Sequence, residues 1–247
     1  MKIGRPFLRF EVARFVILFV ERAGSTYLVT ALKSHPEVRA VTEKFDAMRE
    51  EGKGAAEQLS WAREFLTPPW FGPHRAIGFK TKLVDVLDHE GFAQLLRHHN
   101  CRVIRLQRHN TIKAVVSTLN ARRQWKTSGN WNLLKESHRL PAFSVDLAEF
   151  DVLLKQREKM DRELGDYIKQ LELPTLSLQY EDLLHNRDKF LNQVFDFLGV
   201  SVRPVEGMTL KNTKDDLREA ILNFEELRKR YDGTPYEPMF SEVLMAS

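Results

Sequence analysis

The sequence predicts an α/β protein made of one domain, in which a central parallel sheet is flanked by helices. Short apolar runs rich in β-branched and aromatic residues are typical of parallel strands that are covered on both faces. Such runs alternate along the chain with segments of helical periodicity, and this alternation indicates a parallel sheet. The 247 residues contain no Pro/Gly/Ser-rich stretch that resembles a linker, so residues 1–247 are expected to form a single domain.

Four apolar segments are predicted as strands, at residues 15–20, 76–80, 102–106 and 173–178. Helices are predicted over residues 26–34, 91–98, 110–123, 147–171, 189–198 and 215–230. The first helix is expected to stop before Pro36, because the residue that precedes a proline is disfavoured in helical geometry. Residues 46–74, which contain several glycines and prolines, are predicted as a loop-and-helix insertion and a candidate wall of a substrate site.

The charge and hydropathy of the chain argue against a nucleic-acid partner and against a membrane span. The 38 Lys and Arg against 34 Asp and Glu give a net charge of +4, which is too mild for a nucleic-acid-binding protein. The apolar run at 15–20 is too short to cross a bilayer and lacks the cleavage site of a signal peptide. We therefore expect no nucleic-acid partner, no membrane span and a cytoplasmic location, to which the single cysteine, Cys101, is suited. The sequence does not predict an oligomeric state.

The turn after the first strand carries the strongest functional signal. Ligands of open parallel sheets bind beyond the carboxyl ends of the strands, and a helix that begins there offers free N–H groups to a phosphate. Arg22 adds a fixed cation, Gly24 permits close approach of the backbone, and Ser25 and Thr26 add hydroxyl donors. A Walker A pattern is absent, which argues against a nucleoside triphosphatase. Because a Gly-Ser-Thr helix start also serves helix capping, this segment alone leaves a purely structural interpretation open.

A second anion-binding pair is predicted after the strand at 102–106. Arg108 follows this strand, and Ser117 lies in the helix that comes next. Arginine offers a multidentate phosphate contact that lysine does not match. The alternative interpretation is a surface arginine and an ordinary helix serine.

These segments together resemble the sulfotransferases that use 3′-phosphoadenosine 5′-phosphosulfate (PAPS). Residues 17–28 resemble the 5′-phosphosulfate loop of that family in its arginine-bearing variant, and residues 103–117 resemble its 3′-phosphate motif. Residues 179–183 are similar to its Tyr-Glu-Asp-Leu segment, and the resemblance continues in order through residues 211–214 and 223–227. It implies a P-loop-like sulfotransferase fold and an enzyme that moves a sulfuryl group from PAPS to a hydroxyl, by in-line displacement and without a metal. The implied acceptor is a glycan or glycolipid.

The resemblance also assigns residues to the donor site. They are Arg22, Ala23, Gly24, Ser25, Thr26, Tyr27, Arg108, Ser117, Tyr180 and Lys211. The interval from Arg108 to Ser117 is one residue longer than in the better-known cytosolic members, which leaves His109 as an alternative to Arg108. Arg108 is preferred, because a permanent cation suits a phosphate dianion better than a largely neutral histidine. The family's C-terminal Arg-Lys-Gly clamp is absent, so Lys211 or Lys214 would replace it.

Three residues are expected to take part in catalysis. Arg22 would stabilise the departing phosphate, and Lys80, at the end of its strand, would add a second cation unless it is an ordinary surface lysine. Glu43 would be the general base, since residues 34–45 resemble the part of carbohydrate sulfotransferases that supplies a basic glutamate. The other interpretation of Glu43 is a solvated side chain paired with Lys44. The alternative bases are His35 and His109.

Two other functions compete with this interpretation. One is a kinase or other nucleotide phosphotransferase on a related fold, and the other is a catalytically silent scaffold that keeps the nucleotide pocket. The acceptor site is less defined by the sequence, because tryptophan and phenylalanine are more often core residues than ligand contacts. The aromatic candidates for it are Trp61, Trp70, Phe71, Trp125 and Trp131.

Overall fold

The computed structural model describes residues 12–67 and 72–244. The five strands of its sheet are β1 (Ala13–Phe19), β2 (Val38–Val41), β3 (Ala76–Thr81), β4 (Arg102–Gln107) and β5 (Thr175–Gln179). They lie in the order β2-β3-β1-β4-β5, and every pairing in this order is parallel. Strand β1 is central, and its residues from Phe15 to Leu18 are fully buried, which accounts for the unbroken apolar run.

Helices connect the strands and cover both faces of the sheet. They are α1 (Ser25–Ser34), α2 (Lys44–Glu50), α3 (Ala55–Leu66), α4 (His89–His98), α5 (Thr111–Ser128), α6 (Leu147–Leu171), α7 (Tyr180–His185), α8 (Arg187–Leu198), α9 (Leu217–Ala220), α10 (Phe224–Arg230) and α11 (Glu237–Ser241). The side chains of Asp88, Asn110 and Asp146 cap α4, α5 and α6 by accepting a backbone N–H from the first turn. No helix in the described ranges is both long and apolar enough to span a bilayer.

The core lies on both faces of the sheet, because successive side chains of a strand point to opposite sides. Ile17 and Phe19 pack on the face covered by α1 and α8. Val16 and Leu18 pack on the opposite face, in a cluster with residues of α2, α3, α4 and α6. A separate cluster joins α5 and the start of α6 to the C-terminal helices. The predicted fold class, one α/β domain with a parallel sheet flanked by helices, is confirmed.

Two details differ from the predicted elements. Strand β2 was not predicted, because it is only four residues long and alternates buried and exposed side chains at the edge of the sheet. The helix predicted over 215–230 is wrong, since the chain there forms α9 and α10 with a break between them. At the break Ile221 pairs with Phe143 in an isolated β-bridge, and Leu222 donates its backbone N–H to the carbonyl of Phe143.

Residues 46–74 contribute to the core in their helical part. Met48 of α2 and Phe65 of α3 are buried against the sheet, next to Phe45, which precedes this segment. Trp61 stacks on Phe65, with ring centroids 5.1 Å apart, and meets Phe79 of β3 edge-on. Trp61 is therefore a packing residue, and the predicted Trp70 and Phe71 lie outside the described residues.

Candidate functional site

The loop between β1 and α1 holds two residues in the left-handed backbone region. Arg22 has φ 64° and Gly24 has φ 80°. A Cβ atom on Gly24 would lie 2.7 Å from the ring of Tyr180, so glycine is required there for both its conformation and its small size. Left-handed geometry at a residue other than glycine costs of order 1–3 kcal/mol and concentrates at functional sites. The loop holds Arg22 in such a geometry directly before the N-terminus of α1.

The side chain of Arg22 joins the loop to helix α5 and to the segment that follows it. Its Nε donates to Oγ of Ser117 at 3.0 Å. Its Nη1 lies 3.3 Å from the carbonyl oxygen of Trp131 and 3.4 Å from Oδ1 of Asn132. Burial, helped by the nearby charge of Arg108, lowers the pKa of Arg22 to about 10, so the guanidinium stays charged at neutral pH. The two anion-binding segments predicted from the sequence are thus in direct contact.

Arg108 is almost completely buried and faces the same loop. Its guanidinium lies 4.8 Å from the ring centroid of Tyr180, and its Nη1 donates to the carbonyl of Arg22 at 3.3 Å. Its Nε has no hydrogen-bond partner among the described residues. A buried donor without a partner in the protein is available to an acceptor from outside the chain. His109, the alternative, has an exposed ring and does not line the cavity described next.

A cavity of about 300 Å³ opens at this point, at the carboxyl ends of β1 and β4. It is lined by Arg22, Gly24, Ser25, Thr26, Tyr27, Arg108, Ser117, Tyr180 and Lys211 among the predicted residues, and also by Arg187. None of the described residues that line it is acidic. The side chain of Ala23, also predicted for the donor site, lies in the core instead. The cavity is therefore a cationic pocket suited to a polyanion.

Lys80 is buried at the end of β3, and its ammonium group touches the loop and Glu43. Its Nζ lies 2.9 Å from Oγ1 of Thr26 and 3.3 Å from Oγ of Ser25. The same atom is 2.7 Å from Oε1 of Glu43. The other carboxylate oxygen of Glu43 is 3.6 Å from Nζ of Lys82. Lys80 is thus not a surface lysine, and Glu43 pairs with these two lysines.

The charges around Glu43 determine its pKa. Burial alone would raise the pKa of Glu43, but the ammonium groups of Lys80 and Lys82 outweigh it and hold that pKa below the ordinary value of 4.5. Burial lowers the pKa of Lys80, and the charge of Glu43 opposes this shift. Glu43 is therefore ionised at neutral pH and lies against a cation that also contacts the loop between β1 and α1.

A network of ion pairs continues from Glu43 to neighbouring carboxylates. Oxygen atoms of Glu43, Asp46 and Asp85 all lie within 4.8 Å of one another. Nζ of Lys82 is 3.3 Å from Asp85 and 4.0 Å from Asp46, and Nη1 of Arg49 is 2.7 Å from Asp85. Two cationic side chains already offset these carboxylates, so we interpret the group as a network that holds Glu43 in place.

The C-terminal lysines differ in position. Lys211 lines the cavity and contacts Asp215, whereas Lys214 is partly exposed and lies 3.6 Å from Glu219. Burial, together with the charges of Arg108 and Lys113, lowers the pKa of Lys211. Of the two lysines, Lys211 therefore faces the cavity and Lys214 does not.

Two arginines of this region were not predicted. Arg157 of α6 is buried, donates from Nη1 to the carbonyl of Glu21 at 2.5 Å, and pairs through Nε with Asp161 at 2.7 Å. Arg187 at the start of α8 lines the cavity and donates to the carbonyl of Val205 at 2.6 Å. In the sequence both residues stand among other charged residues of helices, and only the tertiary fold distinguishes them.

Comparison with known proteins finds a protein of similar sequence and several solved structures of similar fold. No family model matches the chain. Nodulation protein H of Rhizobium tropici is 26% identical over 236 residues, which cover 92% of each protein. A sulfotransferase from Alicyclobacillus acidocaldarius of known structure is 16% identical, covers 92% of each chain and has a TM-score of 0.54. The sulfotransferase domain from the curacin biosynthetic pathway is 17% identical over 78% of this chain and 76% of its own, with a TM-score of 0.47.

Proposed function

We propose that this chain, which has the fold of a sulfotransferase, transfers a sulfuryl group from PAPS to the hydroxyl of a glycan or glycolipid acceptor. The observation that carries the proposal is the cationic cavity, where Arg22, Arg108 and Lys211 meet the N-terminus of α1. The comparisons support an enzyme of the sulfotransferase class. The donor, the acceptor class, the roles of single residues and a cytoplasmic location are our proposals.

The donor would lie along the cavity, with its 5′-phosphosulfate and its 3′-phosphate bound by two different sets of residues. The 5′-phosphosulfate would bind the free N–H groups at the start of α1, the hydroxyls of Ser25 and Thr26, and Arg22, as anions do at helix N-termini. The 3′-phosphate would accept from the unpartnered Nε of Arg108 and from Ser117. The adenine would lie near Tyr180, which forms the cavity wall beside Gly24.

Transfer would then be an in-line displacement at sulfur. The acceptor oxygen forms a bond to sulfur while the bond from sulfur to the 5′-phosphate oxygen breaks, and adenosine 3′,5′-bisphosphate (PAP) leaves. Arg22 and Lys80 stabilise the negative charge that develops on the departing oxygen. Glu43 takes the proton from the acceptor hydroxyl. No step in this scheme requires a metal ion.

Lys80 contacts both the loop that would bind the donor and the proposed base, Glu43. Its ammonium group contacts the loop hydroxyls on one side and the Glu43 carboxylate on the other. When the phosphosulfate binds at the loop, its charge competes with Glu43 for Lys80. A weaker ion pair raises the pKa of Glu43, because the charge of Lys80 is what lowers it most. Donor binding would therefore make Glu43 a better base.

The proposal is tested by following ³⁵S from labelled PAPS into a panel of glycans, for the wild type and for Glu43→Gln. The amide keeps the size of the side chain but does not accept the proton, so we expect turnover to fall by about 10²–10⁴-fold. Affinity for PAP should not fall, because Glu43 does not line the donor cavity and its neutral replacement leaves Lys80 free for the 5′-phosphate. Unchanged turnover in Glu43→Gln would exclude Glu43 as the base. A wild type that binds PAP and transfers no sulfur would favour the silent scaffold.

A further inference from the structure

A second cavity, of about 410 Å³, is lined by Phe19, Val20 and Glu21, which directly precede Arg22 of the donor cavity. It lies between the end of β1, the turn that follows β3, and helix α6. Phe19, Val84 and Met160 give it an apolar part, and Glu21, Glu163 and Asp166 give it three carboxylates. Its volume is within the range of small-molecule sites.

This second cavity adjoins the proposed reaction centre at three points. Phe19 lines it, and the ring of Phe19 lies 5.1 Å from Nζ of Lys80. Lys82 lines it, with Nζ 3.6 Å from Glu43. Glu21 lines it and directly precedes Arg22 of the loop. Lys80 and Glu43 line neither cavity themselves. Lys80 contacts Ser25 and Thr26 of the donor cavity and Phe19 of the second cavity, and Glu43 contacts Lys80 and Lys82, so the proposed cation and base adjoin residues of both cavities.

The two cavities differ in charge. The donor cavity is lined by three arginines and one lysine and, among the described residues, by no acidic side chain. The second cavity is lined by the carboxylates of Glu21, Glu163 and Asp166 and by Lys82, which pairs with Glu43 and Asp85. The lysines that pair with Glu163 and Asp166 do not line the cavity. Carboxylate oxygens accept hydrogen bonds from hydroxyl groups and repel other anions.

We propose that this second cavity binds the acceptor, and that the acceptor unit bound there is a neutral sugar without carboxylate, sulfate or phosphate groups. Its hydroxyls would donate to the carboxylates of Glu163 and Asp166, while its C–H face packs on the apolar side chains. The same carboxylates exclude anionic sugars such as uronic acids. This inference rests on the proposed function and narrows its acceptor class.

The charge of the cavity is tested with the double variant Glu163→Lys/Asp166→Lys. Both side chains are exposed on α6 and pair with lysines of the same helix, Lys159 and Lys169. Such surface pairs contribute little to stability, so the variant is expected to fold. The matched control is Glu50→Lys/Glu64→Lys, which reverses two exposed helical carboxylates that do not line the cavity.

A second pair of variants tests the location. Val84 lines the cavity and is 52% exposed, so Val84→Trp narrows the cavity without disturbing the core. Its control is Val152→Trp, which changes a valine of similar exposure, 53%, that does not line the cavity.

The measurement is saturation-transfer NMR with PAP bound, using neutral methyl glycosides (glucoside, galactoside, mannoside, N-acetylglucosaminide) and methyl uronides. For the wild type we expect a signal from at least one neutral glycoside, and at least tenfold weaker binding of the uronides. Val84→Trp should remove the neutral signal, the lysine double variant should weaken it several-fold and admit uronides, and both controls should behave as wild type. Equal binding of uronides and neutral glycosides, no binding of any neutral glycoside, or insensitivity to Val84→Trp would each overturn the inference.

Calorimetric titration with PAP distinguishes a failure of the acceptor assignment from a failure of the proposed function. If PAP binds normally and the glycoside results are negative, only the acceptor assignment is wrong. If PAP does not bind the folded protein, the proposed function fails, and the acceptor assignment fails with it.

Discussion

At the scale of single residues, the site depends on charges that are buried and only partly compensated. Arg22 and Arg108 lie in one cationic cavity, and the buried Nε of Arg108 has no partner among the residues the structure describes. Lys80 is paired with Glu43 and still contacts the loop hydroxyls. Buried charges of this kind cost free energy, and a bound polyanion would offset that cost.

The pKa of Glu43 is predicted to lie below 4.5 in the free protein, because Lys80 and Lys82 favour its ionised form. The stabilisation from this ion pair is then present at neutral pH and lost as the pH falls through the lowered pKa. The pKa of Glu43 is measured by ¹³C NMR titration of its side-chain carboxyl signal, which is assigned by its absence in Glu43→Gln. In Lys80→Met the main opposing charge is gone, so the pKa should rise. A Glu43 that titrates above 4.5 in the wild type would contradict this assignment of charges.

Gly24→Ala is expected to destabilise the protein by about 1–3 kcal/mol and to weaken PAP binding. The new methyl group would meet Tyr180 at 2.7 Å, in addition to the strain of φ 80°. The matched control is Gly129→Ala, where φ is 69° and no atom lies within 4 Å of the new Cβ. Thermal unfolding of both variants compares the two effects. Equal losses of stability would show that contact with Tyr180 plays no part.

At the scale of elements, helix α6 contacts the loop between β1 and α1 through a buried arginine. Arg157 donates to the carbonyl of Glu21 at 2.5 Å and is itself fixed by Asp161. Because it is buried and touches the residue before Arg22, it holds the loop in place. We therefore expect Arg157 to act as a positioning residue for this loop.

Arg157→Met is expected to reduce PAP affinity about tenfold, the equivalent of ~1.4 kcal/mol, since the loop loses its support. The pH dependence of turnover should keep its shape, because the proton acceptor is unchanged. Arg162→Met changes an exposed arginine of the same helix and serves as the control. An Arg157→Met protein that is less stable but binds PAP as tightly as the wild type would assign Arg157 to stability alone.

The elements could be predicted where local sequence determines them. The apolar run of β1, the Gly24 turn and the 25-residue helix α6 all carry strong local signals. Strand β2 could not be predicted, because an edge strand with exposed Arg39 has a weak pattern. The break before α10 depends on pairing with Phe143, which is distant in sequence.

At the scale of the whole molecule, the strand order brings the functional segments together. Strand β1 lies between β3 and β4, so the loop after β1 meets Lys80 from one neighbour and Arg108 from the other. The sequence pattern identified Arg22, Lys80 and Arg108 as site residues, each from its own segment of the chain. It could not predict that Arg22 reaches Trp131 and Asn132, or that Arg157 reaches the loop, because these contacts join segments more than a hundred residues apart.

The most direct test of the account is calorimetric titration of the purified protein with PAP, with 5′-AMP and ATP–Mg²⁺ as controls. We expect PAP to bind about a hundredfold more tightly than 5′-AMP, the equivalent of ~2.7 kcal/mol, because only PAP carries the phosphate that Arg108 would hold. Arg108→Ala should remove most of this difference and leave 5′-AMP binding almost unchanged. Failure of the folded protein to bind PAP, or a preference for ATP–Mg²⁺, would contradict the proposed donor and favour a phosphotransferase.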